Sequence, residues 1–266
     1  MIRRKTFAYV KLGMQKLLAY KFEVATFFFI SILSLIIYYY LWHSIYSFTG
    51  QSTINGFDFT QLMAYYILIF FEGGFIWTNL DQRISDLIRD GTLIIDLARP
   101  TTLMNAYVSD EFGADLLVIL IQGTPLLVAG VIFFHLSPAS LLSLVLSAIS
   151  FAVAVALSIT FVFLTSISSF WLTRYHAVRY ARNTITWFFG GGIVPIAFFP
   201  SVWQKVFALL PFQHFIYTPV SIFLGYVQGW NALSMIGMQI FWVIIFYLLI
   251  KLAWPKAMAK FSAAGG

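Results

Sequence analysis

Side chains that could carry chemistry are few and unevenly placed. All ten acids precede Leu116, so the second half can form neither a carboxylate pair for acid–base hydrolysis nor an acidic metal cage. His43, His135, His176 and His214 are separated singles. Cysteine is absent, which removes thiolate nucleophiles, thiolate metal sites and disulfides. No HExxH, GxSxG or phosphate-cradling loop occurs, and Gly190-Gly191-Gly192 lacks the Lys-Ser/Thr that would follow such a loop. These types and spacings point away from catalysis, and the chain is expected not to be an enzyme.

The charged residues that remain suit recognition. Asp81 to Arg99 reads DQRISDLIRDGTLIIDLAR and alternates sign through Asp81, Arg83, Asp86, Arg89, Asp90, Asp96 and Arg99. Ile84, Leu87 and Ile88 recur at helical spacing before Gly91, a residue suited to the position just past a helix end. Two readings fit: a solvated loop with local ion pairs of little individual weight, or a short amphipathic helix under a membrane that inserts its Leu/Ile face into a partner. Glu72, inside an apolar stretch, is a functional candidate by its depth; snorkelling or pairing with an Arg is the plainer alternative. Asp110, Glu111 and Asp115 open another apolar stretch, where a helix N-terminus favours acids.

The elements that must position these residues are set by hydropathy. Of the 266 residues 61% are apolar and 10% charged, against about 25% charged in an average soluble domain. Water-soluble enzymes, nucleic-acid readers and disordered scaffolds are thereby excluded. No Asp, Glu, Lys or Arg occurs from Leu116 to Thr173, or again from Val206 to Ile250, and a membrane-crossing helix needs about 20 such residues. The net charge of +6 then reflects cationic cytoplasmic loops rather than nucleic-acid binding. Aromatic residues make up 19%, mostly for lipid-facing and interfacial packing; a smaller share could line a path for an apolar or cationic planar substrate.

The predicted fold is an all-α polytopic membrane protein with six transmembrane helices. Residues 1–21 form an N-terminal amphipathic interfacial helix: Phe7, Val10, Met14, Leu17 and Leu18 share one arc opposite Arg4, Lys5, Lys11, Gln15 and Lys16, with Leu12 breaking the pattern. No removable signal peptide is expected. Spans are predicted at 22–46, 59–80, 108–134 with a kink at Pro125, 139–172, from Asn183 onward, and 231–250. Together they make a transmembrane domain over 22–252, with a cytoplasmic loop at 81–105 broken at Arg99-Pro100, a basic loop from Arg174 to Arg182, and a tail at 253–266. Segment 200–229 is apolar but interrupted by Pro200, Pro211, Pro219, Gly225 and Gly229, so it reads as a re-entrant helical hairpin before the last span. Gly225/Gly229 is also a weak small-xxx-small packing pair. In this arrangement every Lys and Arg except Lys205 falls on one face, which puts both termini in the cytoplasm.

In order, these features resemble the permease subunits of ABC-2 type transporters, and among them the viologen-exporter-type permeases. The matching stretches are Ile84-Ser85-Asp86 through Asp90-Gly91-Thr92-Leu93 to Asp96-Leu97-Ala98-Arg99-Pro100, Gly190 to Pro195 and on to Phe199-Pro200, Leu209-Leu210-Pro211-Phe212-Gln213, Tyr217-Thr218-Pro219 and Leu224-Gly225. The resemblance implies an exporter subunit in a prokaryotic cell (inner) membrane that forms the substrate path. It implies pairing with an identical or paralogous second permease and with two ATP-binding subunits. ATP and Mg would be held by those partners, with no cofactor bound directly, and lipid but no nucleic acid would be contacted. It further implies that Ile84, Asp86, Leu87, Ile88, Arg89, Gly91 and Asp96 couple to the ATPase. Pro195, Pro200, Pro211, Phe212, Pro219 and Gly225 would belong to the outer gate. The triple glycine departs from the pattern and is expected to loosen the outer half of the fifth helix. The alternatives are an ion- or proton-coupled secondary carrier working without an ATPase, for which only Glu72 qualifies, and a membrane assembly factor or intramembrane enzyme.

Overall fold

The computed structural model describes residues 2–19, 21–76, 79–97, 103–172 and 175–265. The expected break at Arg99-Pro100 lies outside the described residues. Helices dominate, and the one sheet among the described residues is a two-stranded hairpin, Thr53–Ile54 with Phe57–Asp58. Four helical stretches are long and apolar enough to cross a membrane: Val24–Thr49, Ala106–Phe134, Leu141–Phe170 and Gly229–Phe261; Phe59–Gly73 is a shorter apolar helix. The chain is an all-α, multi-pass membrane protein.

In chain order the helices are α1 (Ile2–Ala19), α2 (Lys21–Thr49), α3 (Phe59–Ile76), α4 (Leu80–Arg89), α5 (Leu93–Leu97), α6 (Leu103–Val118), α7 (Thr124–Phe134), α8 (Leu141–Ser166), α9 (His176–Phe189), α10 (Ser201–Leu209), α11 (Tyr217–Phe223) and α12 (Gly229–Gly265). The central one is α3. Leu62 to Ile69 are all buried, as expected of a helix apolar on every side. In contrast α2 turns Phe29, Leu33, Ile37 and Tyr40 outward.

The expected kink at Pro125 takes a particular form. Proline cannot donate to the carbonyl four residues back and its ring crowds that turn. The helix accommodates this by widening into a π turn, Ile119–Gly123, directly before α7.

Three features go beyond the sequence-based expectation. The last expected span, 231–250, lies within a longer helix, α12, which runs on through Pro255. The missing donor there strips one bond from the Lys251 carbonyl, near the helix's polar end, where water can replace it. Second, α1 does more than rest at an interface: it crosses α6 with backbone against backbone. A Cβ at Gly13 would collide with the Asp110 carbonyl, and one at Gly113 with that of Val10. Third, Gly225 and Gly229 share no helix. They flank the turn between α11 and α12 at φ +81° and +56°, so they are not a packing pair.

The small-residue seam lies instead between α8 and α12. Ser143, Ser147, Ser150 and Ala154 are buried along α8, while Ser158 turns to α3 and donates to the Ile76 carbonyl at 2.6 Å. The Ser150 hydroxyl donates to Gln239 Oε1 (2.9 Å), while Gln239 Nε2 donates to the carbonyls of Ser150 (3.2 Å) and His214 (2.8 Å). Small faces with one shared amide are the usual means of joining helices in lipid.

Candidate functional site

The ion pairs among the described residues gather around α4. Its apolar face is covered by the chain itself: Leu80, Ile84 and Leu93 are buried with Tyr107, Phe163 and Ile250, and Leu87 and Ile88 pack half-buried against the same cluster. Ile84 is therefore a core residue. The groove that the sequence pattern demands is intramolecular. Gly91 follows the helix at φ +69°, and Arg89 pairs at the surface with Asp86 (3.2 Å) and Asp90 (3.1 Å). Beyond it, α5 points Ile94 and Ile95 into the surroundings, 64% and 61% exposed. Asp96 accepts from the Tyr107 hydroxyl.

Polar contacts fasten α4 on two sides. Toward α9, Arg182 lies 2.9 Å from Asp81 Oδ2, an ion pair held by charge without an aligned N–H, and Tyr175 donates to the same oxygen at 3.0 Å. Both members of the pair are buried. Burial first, then the Asp81 charge, raises the Tyr175 hydroxyl, so it stays a donor. Arg179 adds bonds to Asn79 and to Gln82 (3.4 Å). Arg179 and Arg182 thus belong to a helix and not to the expected basic loop. Toward α6, Asp110 Oδ2 receives both Lys16 (2.7 Å) and Arg83, whose guanidinium also lies 4.2 Å from the Tyr107 ring centroid. Glu111 takes the Asn79 N–H at 2.7 Å. Because α6 begins at Leu103, Asp110 is two turns inside the helix; it is a node joining α1, α4 and α6, not an N-terminal dipole partner.

Glu72 is 6% exposed on α3, its Oε2 has no hydrogen-bond partner, and no cation pairs with it among the described residues. At that burial it does not snorkel, and none of the described arginines pairs with it.

At the opposite end the backbone unwinds after α9. Four successive carbonyls there each find a donor. Gly190 accepts from Tyr217 N–H (3.1 Å), Gly191 from Tyr65 Oη (2.8 Å), Gly192 from Tyr38 Oη (3.3 Å) and Ile193 from Tyr66 Oη (2.7 Å). Non-helical backbone at membrane depth survives only when protein satisfies it, and tyrosines from α2 and α3 supply most of that. Gly191, at φ +88°, would meet Tyr65 Oη with any Cβ, and Gly192 would meet the Trp187 ring. The triple glycine therefore ends α9 and packs it tightly rather than loosening it. Pro195, Pro200 and Pro211 each precede a short helical piece, and Pro219 lies buried inside α11. Phe212 meets the rings of Phe161 and Phe189 at 6.2 and 6.0 Å. Gly225 abuts Ala139. The six outer residues thus belong to one packed end of the molecule, whereas Glu72 and the α4–α5 residues stand apart from it.

Sequence reasoning gave Asp110 and Arg182 other roles, and it missed Gln239 and the tyrosine pair Tyr65-Tyr66. Gln239 had a signal: it is a lone amide within an apolar stretch. His214 is a satisfied core histidine. Its Nε2–H donates to the Ala208 carbonyl (3.1 Å), so Nδ1 accepts from Thr218 (3.0 Å). Among the described residues no group of three or more His, Asp or Glu is placed to hold a metal.

A family model described as ABC-2 family transporter protein matches residues 30–265. No curated protein matches the chain.

Proposed function

The chain belongs to the ABC-2 family of transporter proteins, and from that premise we propose that it is the permease subunit of an ATP-driven exporter, working with two separate ATP-binding subunits and a second permease. Members of this family are transport components, and the chain carries no nucleotide-binding motif. ATP and Mg then reside on the partners. The reading includes the viologen-exporter-type subgroup and a prokaryotic inner membrane.

On this proposal the chain crosses six times, through α2, α3, α6 with α7, α8, α9, and α12. In this reading α10 and α11 form the re-entrant pair at the outer end, and both termini are cytoplasmic. Lys205 on α10 is then the one cation facing outward.

The observation that carries the coupling assignment is the pair Ile94 and Ile95. They are exposed on α5 and hang from a helix that is bolted to the bundle by the buried Asp81–Arg182 pair. Apolar residues displayed this way mark a contact surface. Closure of the ATPases would push on α5, α4 would pass the displacement to α9, and α9 leads directly to the tyrosine-held break. Work is transmitted only if the ATPases contact the two permease states differently. Leu87 and Ile88, which pack inward, support α5 rather than touch the partner.

The test is reconstitution with the ATPase subunits. ATP-dependent export and stoichiometric co-purification are expected, and Ile94→Asp/Ile95→Asp abolishes both. Transport by the chain alone down an ion gradient would sink this reading and favour a secondary carrier loading at Glu72.

A further inference from the structure

A cavity of about 650 Å³ opens beneath the α1–α6 crossing, within the roughly 300–1,000 Å³ of small-molecule sites. Gly13, Gly73 and Gly123 border it, so its walls are short of side chains. From Asp110 to Ile119 its α6 wall advances nine residues, about 14 Å of helix at ~1.5 Å per residue. That is close to half of a hydrocarbon core about 30 Å thick. The cavity is therefore about one leaflet deep.

Its two ends differ in chemistry. The deep walls are apolar: Ile69, Phe70, Phe71, Val118, Ile119 and Trp187. The shallow end, beside α4, carries Lys16, Arg83, Asp110 and Glu111. The side chains of Lys16 and Arg83 are 45% and 33% exposed, and each gives one hydrogen bond, both to Asp110 Oδ2. An ammonium has three N–H donors and a guanidinium five. Most of theirs are unused, so they can reach a second anion without surrendering Asp110. Glu111 uses one oxygen on the Asn79 N–H. Two cations face two carboxylates here, and such an end suits a group that brings both signs. Asp115, one turn further along α6, has no cation within ion-pair distance among the described residues. A charge at that depth is costly, and Asp115 takes no part in this balance.

The geometry points to a binding site for one phospholipid, its phosphodiester between Lys16 and Arg83, its ethanolamine amine toward Glu111, and one acyl chain along the apolar walls. Cations at a membrane surface meet headgroups in any case; this cavity adds a slot for the tail directly beside them. The lipid is a resident of the joint between α1, α3 and α6 and not cargo, and its binding needs no ATPase. In the orientation proposed above it comes from the cytoplasmic leaflet.

The test uses the full chain, stripped of lipid in maltoside micelles, with bound copies counted by native mass spectrometry. One tight copy of palmitoyl-oleoyl phosphatidylethanolamine is expected. Phosphatidylglycerol with the same chains, lacking the amine, binds less tightly. The corresponding diacylglycerol, lacking the headgroup, binds at least about tenfold more weakly. Glycerophosphoethanolamine, a headgroup without chains, does not displace the lipid. Lys16→Gln, which leaves Arg83 on Asp110, lowers affinity about tenfold. Lys16→Arg, and Lys256→Gln outside the cavity, retain it. Val118→Trp, which fills the slot and spares the charges, lowers it as well. Equal affinity for the diacylglycerol, tighter binding of phosphatidylglycerol, displacement by the chain-free headgroup, or full affinity in Lys16→Gln each overturns the proposal. If no copy binds tightly while ATP-dependent export with the partner subunits persists, the site is wrong and the permease reading stands.

Discussion

Tyr65 on α3 donates its hydroxyl to the carbonyl of Gly191 at 2.8 Å, joining two residues 126 positions apart. The bond satisfies an acceptor that has no helical partner after α9 stops. Tyr65→Phe keeps the ring and removes only the donor. A buried carbonyl left unsatisfied costs about 1–3 kcal/mol, so the thermal midpoint in detergent should fall. Gly191→Ala should be worse, because it adds positive-φ strain and a clash with the same hydroxyl. An unchanged midpoint for Tyr65→Phe would remove this account of the break.

The Asp81–Arg182 pair is buried on both sides. Removing one partner of such a pair costs about 3–5 kcal/mol, because the other charge is left uncompensated, while replacing both by residues of similar size is much milder. Asp81→Asn should therefore destabilise the chain strongly, and Asp81→Asn/Arg182→Gln should recover much of the loss. A double-mutant cycle on thermal midpoints measures this; additive losses would show that the two charges act independently.

At the α1–α6 crossing there is room for no side chain at Gly13 or Gly113. Gly113→Leu should detach α1, read as faster proteolysis between α1 and α2 with α8 and α12 still protected. An intact α1 in that variant would show that the crossing tolerates separation.

Residues on α4 and α5 should separate by readout. Ile84→Asp places a charge in a closed apolar cluster and should lower stability by several kcal/mol. Ile94→Asp/Ile95→Asp alters exposed positions and should leave the thermal midpoint within about 0.5 kcal/mol of its parent while abolishing ATPase binding. Equal effects of the two variants on folding would contradict the division of labour between these helices.

Glu72 buries an acceptor without a partner. Glu72→Gln should leave the thermal midpoint unchanged or raise it, since no ion pair is lost. If it instead abolishes export while the chain still assembles, the carboxylate acts in transport.

Long apolar runs revealed α8 and α12, and the 3.6-residue spacing of Ile84, Leu87 and Ile88 revealed α4. What covers that face was illegible, because Phe163 and Ile250 are remote in sequence and nothing local encodes the meeting. The same holds for Lys16 and Asp110, 94 residues apart. The tyrosine pair was hidden by its surroundings, since in a chain this rich in aromatic residues two more carry no signal. The full length of α12 was illegible as well, because whether a helix continues past a proline such as Pro255 depends on how the freed carbonyl is otherwise satisfied.

The donors on Gly190 to Ile193 come from α2, α3 and α11 at once. A segment stitched to three neighbours cannot flex by itself, so the glycine-rich stretch is a keystone and not a hinge. Whatever rearrangement accompanies transport must carry α3 and the unwound end of α9 as one block.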